Sequence, residues 1–224
     1  DGSKSEEELH RESTQWERTE AGVGFVKDTC FGMMVEGVSR MEIFSTTIPE
    51  VKLIVPRRFT DNRGFFCELY HKQRFTEAGI NVEFVQDNCS LSRQRGVVRG
   101  FHYQIRPAAQ AKLIWVVRGA IFDVVVDLRR SSPTFGRHVA MILSAEEGQQ
   151  LFVPEGFAHA FAVLEPDTQV HYKTSTYYSP EHERGILWND PALGIGWPIR
   201  PEEAIVSEKD ARLPPLAEQP DLFD

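Results

Sequence analysis

Cysteine is scarce in this 224-residue chain. Cys30, Cys67 and Cys89 are odd in number and scattered, which builds neither a disulfide framework nor a zinc knuckle. A reducing, cytoplasmic setting is the expectation that follows. Long apolar runs are missing: none approaches the ~20 residues of a membrane helix. The first residues carry no signal-peptide pattern, so no membrane partner is expected. Positive charge is in deficit, with 33 Asp and Glu against 25 Lys and Arg and a net charge of -8. That argues against nucleic acid as a partner, because phosphate contacts need a basic surface. Internal repeats and low-complexity tracts are absent as well. What is present, 41% hydrophobic residues, is enough for one domain whose core needs no disulfides.

Residues 1–40 differ in texture from the rest. Ser5 to Glu20 is dense in Glu, Arg, Ser and Thr, with Trp16 its one large apolar residue, so it has no stripe to bury. Globular texture begins at Met41. The expectation is an N-terminal extension over 1–40, flexible or foreign to the natural protein, and a single domain over 41–224. Within the latter the signal is mainly β. Val51–Val55 and Phe65–Tyr70 flank the turn-like Thr60–Gly64. Leu113–Val117 and Ala120–Leu128 join at Arg118-Gly119, and Phe122, Val124 and Val126 share a face by period two. His138–Leu143, Gln149–Val153, Ala158–Leu164 and Gln169–Ser175 continue the series. His71 to Ala78 reads as one short helix capped by Gly79, with another helical piece near Ser207–Arg212. Eight to ten short strands with few helices predict an all-β sandwich or barrel.

Chemistry concentrates between Gly96 and Lys112, where Arg99, His102 and Lys112 stand in otherwise strand-like sequence. Charge among apolar neighbours is costly, and a concave site for an anionic ligand that also moves protons would account for it. Further on, Gly148, Pro154, Gly156 and His159 are spaced G-x5-P-x-G-x2-H, which resembles the second motif of the cupins. That resemblance implies a double-stranded β-helix jelly roll with His159 facing inward. That second motif would continue with an asparagine at 163, where this chain has Val163, and the first cupin motif would place a second histidine at position 104, where it has Gln104. His102 and His159 alone fall short of the three or four protein ligands of a stable metal site, so no metal is expected.

A closer resemblance covers residues 41–212. Asp61-Asn-Arg63-Gly-Phe-Phe66-Cys-Glu68, Phe84-Val-Gln86-Asp-Asn88, Val98-Arg99-Gly-Phe-His102-Tyr-Gln and Gln110-Ala-Lys112-Leu are similar to the dTDP-4-dehydrorhamnose 3,5-epimerase family. So are Pro154 to His159, His171-Tyr172-Lys173, Tyr177-Tyr178-Ser-Pro180 and Gly185 to Pro191. The resemblance implies proton abstraction at C3 and C5 of a dTDP-4-keto-6-deoxy sugar, through an enolate and with no cofactor. His102 would be the base, since a neutral imidazole titrates near working pH. Asp210 would orient it and stabilise the imidazolium. Lys112 would hold the enolate oxygen, and Tyr172 would return the proton from the other face. Arg63 and Arg99 would meet the pyrophosphate or sugar. Glu68, Gln86 and Asn88 would serve base and ribose, Phe66 and Tyr178 would stack, and His159 would bond near the sugar.

Each assignment has a plainer alternative. A strand histidine can be a core residue, Lys112 a surface lysine, and Phe66 or Tyr172 simple sheet packing. Ser207-x-x-Asp210 is also a capping box. Other functional alternatives are an epimerase of C3 alone or C5 alone, a metal-dependent cupin enzyme, and a silent sugar-binding cupin. A homodimer is expected, because the family covers its sheet edges between subunits. Phe101, Ala160 and a slightly long Leu91–Gly96 loop depart from the family pattern, and none is a proton-transfer group.

Overall fold

The computed structural model describes residues 41–224; the expectation for 1–40 lies outside the described residues. Fourteen strands run in chain order. They are β1 (Glu42–Ser45), β2 (Lys52–Val55), β3 (Arg58–Asp61), β4 (Gly64–Cys67), β5 (Gln86–Ser92), β6 (Val97–Gln104) and β7 (Lys112–Arg118). There follow β8 (Ala120–Asp127), β9 (His138–Ser144), β10 (Gln150–Val153), β11 (Phe157–Val163), β12 (Thr168–Thr174), β13 (Glu183–Gly185) and β14 (Ile205–Val206). One helix, α1 (Lys72–Glu77), lies between β4 and β5. Two sheets face each other, in the orders β1-β2-β10-β7-β12-β5 and β13-β6-β11-β8-β9, with β14 added beside β6. The third pair is the β3–β4 hairpin. This is the expected jelly roll. No helix among the described residues is long and apolar enough to cross a membrane.

Alternation decides which residues meet. In β8, Ile121 and Val125 join Ile114, Leu151, Phe161 and Val170 in the core between the sheets. Phe122, Val124 and Val126 turn outward, as their period predicts, under Trp188, Ile199 and Phe223 of the C-terminal tail. A third cluster lies beyond the other sheet, where Phe75 of α1 packs on Leu113 and Phe152. Because tail and sheet cover both faces, every residue of β8 and β11 is buried. Burying a Val or Ile side chain stabilises by about 1.5–3 kcal/mol, so these two central strands carry much of the fold.

The limits of local reading show at the edges of elements. The helix is shorter than expected by one residue at each end, and Gly79 follows it with φ +83, the left-handed value a C-terminal glycine supplies. The second strand of the hairpin ends at Cys67 rather than Tyr70. β5 was not predictable from periodicity: its sequence QDNCSLS has no apolar alternation. It becomes a strand because Asn88 and Ser90 pair with Tyr172 and Val170 of β12.

Candidate functional site

A cavity of about 540 Å³ opens between the sheets, lined by His102, Lys112, His159, Tyr172 and Asp210. Arg99, Gln104, Gln110, Tyr178, Glu183 and Lys209 also face it. β6 brings His102 and Arg99, and β11 lies beside it with His159 directly opposite His102 in the ladder. β7 and β12, in the facing sheet, bring Lys112 and Tyr172. Histidine and tyrosine therefore stand on opposite walls.

Asp210 reaches His102 through the tail. β14 runs parallel to the first residues of β6, and the Ile205 N–H donates to Gly96 O at 2.8 Å. The following turn delivers Asp210, whose Oδ1 lies 2.8 Å from His102 Nε2. Its Oδ2 accepts the Gly100 N–H at 3.3 Å. Gly100 has φ +110, and a Cβ there would come within 2.5 Å of His159 O, so only glycine lets β6 approach β11 here. The capping-box alternative is half right: the Asp210 N–H donates to Ser207 Oγ at 3.0 Å, while the carboxylate serves the histidine. Burial works to raise the Asp210 pKa, but the His102 bond, the Gly100 N–H and the Ser207 hydroxyl outweigh it and hold the group below its ordinary value. An ionised carboxylate on Nε2 fixes that nitrogen as the N–H donor and leaves Nδ1 as the basic one. No group among the described residues bonds Nδ1.

The facing wall has matching electrostatics. Burial lowers the Lys112 pKa to about 8, opposed by the charges of Asp123 and Glu183. Lys112 Nζ donates to His102 O at 3.2 Å, which holds the ammonium beside His102. Burial raises the Tyr172 pKa, with Arg99 opposing and Glu183 assisting, so the phenol keeps its proton at neutral pH. His159 Nε2 bonds Asp123 Oδ2 at 2.7 Å inside the barrel.

Five residues expected at the site do not line this cavity. Arg63 pairs with Asp61 at 2.5 Å on the exposed β3–β4 hairpin, Phe66 is 70% exposed, and Glu68 pairs with Arg74. Gln86 gives its amide N–H to Asn88 Oδ1 and its oxygen to the Tyr178 N–H, so both amide atoms are engaged within the protein. Sequence reasoning missed Asp123 and Glu183. Asp123 did carry a signal, a carboxylate in the middle of an apolar eight-residue strand. Glu183 carried none: its carboxylate meets Tyr178 Oη at 2.8 Å and Lys209 Nζ at 2.6 Å only after the chain has folded. Among the described residues, no group of three His, Cys, Asp or Glu side chains could hold a metal ion.

This arrangement can remove a proton next to a carbonyl on one face, stabilise the resulting oxyanion and deliver a proton to the other face. Comparison with known proteins points the same way. Residues 45–218 match the family described as dTDP-4-dehydrorhamnose 3,5-epimerase. A Pseudomonas aeruginosa protein of that name is 53% identical over 171 residues, 76% of this chain and 93% of its own. A Sinorhizobium fredii protein of the same name is 50% identical over 186 residues, 83% of this chain and 95% of its own. The crystal structure of a Legionella pneumophila dTDP-6-deoxy-D-glucose-3,5-epimerase in complex with dTDP-4-keto-L-rhamnose superposes with a TM-score of 0.76 at 46% identity. The alignment covers 80% of this chain and 94% of that one.

Proposed function

The chain belongs to the dTDP-4-dehydrorhamnose 3,5-epimerase family, and from that premise we propose that it converts dTDP-4-dehydro-6-deoxy-D-glucose to dTDP-4-dehydro-L-rhamnose by inverting C3 and C5. The observation that carries this reading is the placement of a His–Asp pair and a protonated tyrosine on opposite walls of one cavity, with a half-buried lysine on the tyrosine's wall that reaches the histidine backbone. His102 Nδ1 takes the proton from carbon next to the C4 ketone. Its charge is balanced by Asp210. The electron pair moves into the ketone, and Lys112 stabilises the enolate oxygen, an electrostatic role worth about 10²–10³ in rate. Tyr172 then donates its proton to the opposite face of the same carbon. Arg99 and His159 anchor the ligand, and Tyr178 packs on its base or sugar. The family resemblance supports a reaction without cofactor, and the chemistry itself is redox-neutral.

Incubating the protein with the 4-keto sugar nucleotide in heavy water tests the reading. Deuterium is expected at both C3 and C5. Label at one position alone would make it a mono-epimerase, and no exchange would overturn the assignment.

The functional unit on this reading is a homodimer. Phe59, Phe65 and Phe66 leave the β3–β4 hairpin 49%, 58% and 70% exposed, more apolar surface than a free hairpin retains without a partner. A second copy presenting its hairpin to the cavity would also reunite Arg63, Phe66 and Glu68 with the ligand. Light scattering should give twice the chain mass, and Phe66→Asp should reduce it to one. Free thiols at Cys67 and Cys89 support a cytoplasmic setting.

A further inference from the structure

Gln104 stands where a metal-binding cupin pattern would place a histidine, and the reaction scheme gives it no part. The structure spends it on something else. The residue is 3% exposed, and its amide bonds backbone groups of two segments that it ties together. Nε2 donates to Ala108 O at 2.6 Å and to Tyr177 O at 3.2 Å, and Oε1 accepts the Ser179 N–H at 2.8 Å. Two further glutamines act on the same segment. Gln110 Nε2 donates to Thr176 O at 2.6 Å, and Gln86 Oε1 accepts the Tyr178 N–H at 3.0 Å. Between Thr176 and Ser179 the chain has left the β12 ladder, so these amides take over the bonding that a neighbouring strand would provide.

We propose that Gln104 is a positioning residue: with Gln86 and Gln110 it clamps the backbone of Thr176–Ser179, so that the Tyr178 ring stands preset at the cavity mouth and sets affinity for the nucleotide end of the ligand. This rests on the nucleotide-sugar reading above. The ring is 54% exposed, and its hydroxyl donates to Glu183 at 2.8 Å, so Tyr178 is held at both ends before any ligand arrives. An aromatic wall on a loop free to fray would be ordered at the moment of binding, and that entropy would be subtracted from affinity. A clamp made of neutral amides keeps its strength across the working pH range, independent of the titrating groups deeper in the cavity. It also explains why glutamine suits position 104: one side chain must donate to two carbonyls and accept from one N–H, which neither leucine nor glutamate can do.

The test is a double-mutant cycle read by calorimetric binding of thymidine diphosphate and by steady-state kinetics. Gln104→Leu is expected to weaken binding about tenfold and raise KM in step, or about 1.4 kcal/mol, while kcat falls no more than about threefold. In a Tyr178→Ala background the same substitution should change affinity by less than about twofold, because the ring it positions is gone. Equal weakening in both backgrounds would reduce Gln104 to a general structural residue and overturn the proposal. So would unchanged affinity in the single variant. Should Gln104→Leu fail to fold, Gln110→Leu removes a single bond to the same segment and should weaken binding about threefold with the same dependence on Tyr178. Failure of the unmodified protein to bind thymidine diphosphate would instead overturn the nucleotide-sugar reading, and this proposal with it.

Discussion

Two histidine–aspartate pairs sit side by side in this barrel and differ in what surrounds them. His102–Asp210 joins a strand to the C-terminal tail, 108 residues away, and its imidazole side chain is 33% exposed to the cavity. His159–Asp123 joins adjacent strands, 36 residues apart, with the imidazole 10% exposed and the carboxylate fully buried. Separation and bond length are those of a charge-assisted pair in both. Access separates them: the first imidazole presents a nitrogen to the cavity, whereas the second sits deeper, on a carboxylate whose other oxygen has no partner. Both imidazoles line the cavity, so on the proposed reading the same two residue types serve proton transfer where the ring is open to it and ligand anchoring where the ring is nearly covered.

The sharpest way to break this contrast is to remove each imidazole in turn. His102→Ala should lower kcat by about 10³, within the range of a lost general base, and leave thermal stability nearly unchanged. Solvent deuterium exchange measures it, and normal turnover would show the base to be elsewhere. His159→Ala should do the reverse. With Asp123 buried and unpaired, urea unfolding should show a loss of about 3 kcal/mol, the scale for breaking a buried pair. Folded protein should still exchange substrate protons, more slowly.

Asp210→Asn comes next, with an expected 10–100-fold fall in kcat, roughly the cost of losing a carboxylate behind a working imidazole. The amide still accepts a hydrogen bond, so stability should move little; a large loss of stability with kcat intact would make Asp210 the cap and not the orienting group. The smallest effect is in the pH profile. Burial lowers the Lys112 pKa to about 8, and the proposed role needs it as a cation, so the rate should fall as pH rises through about 8. Asp123→Asn removes a charge that holds this pKa up and should shift the alkaline limb to lower pH. In a Lys112→Arg background, where the cation does not titrate, that shift should vanish.

Strands such as β8 were legible because burial on two faces writes a strong apolar signal, and Phe122, Val124 and Val126 lie where period two puts them. β5 was not, because it is an edge strand whose covered positions, Gln86, Asn88, Ser90 and Ser92, are all polar while Leu91 faces outward. The cluster Arg99, His102, Lys112 was readable as a site from charge placed among apolar neighbours. The pairing of Ser207 and Asp210 was readable only as an ambiguity, and the fold resolved it by giving the N–H to the serine and the carboxylate to the histidine.

The sequence by itself determined the central strands, the turn glycines, the motifs that mark the family and most of the residues around the cavity. These depend on neighbours a few positions apart, where side-chain period and backbone preference act directly. Tertiary structure alone decided which aspartate meets which histidine, that the Arg63 hairpin lies away from its own chain's cavity, and that Gln104 holds the loop beneath Tyr178. Those outcomes depend on sheet register and on the path of the tail across β6. Contacts between residues tens to a hundred positions apart leave no periodic trace in the chain, and they form only when burial of the two sheets has offset their entropy.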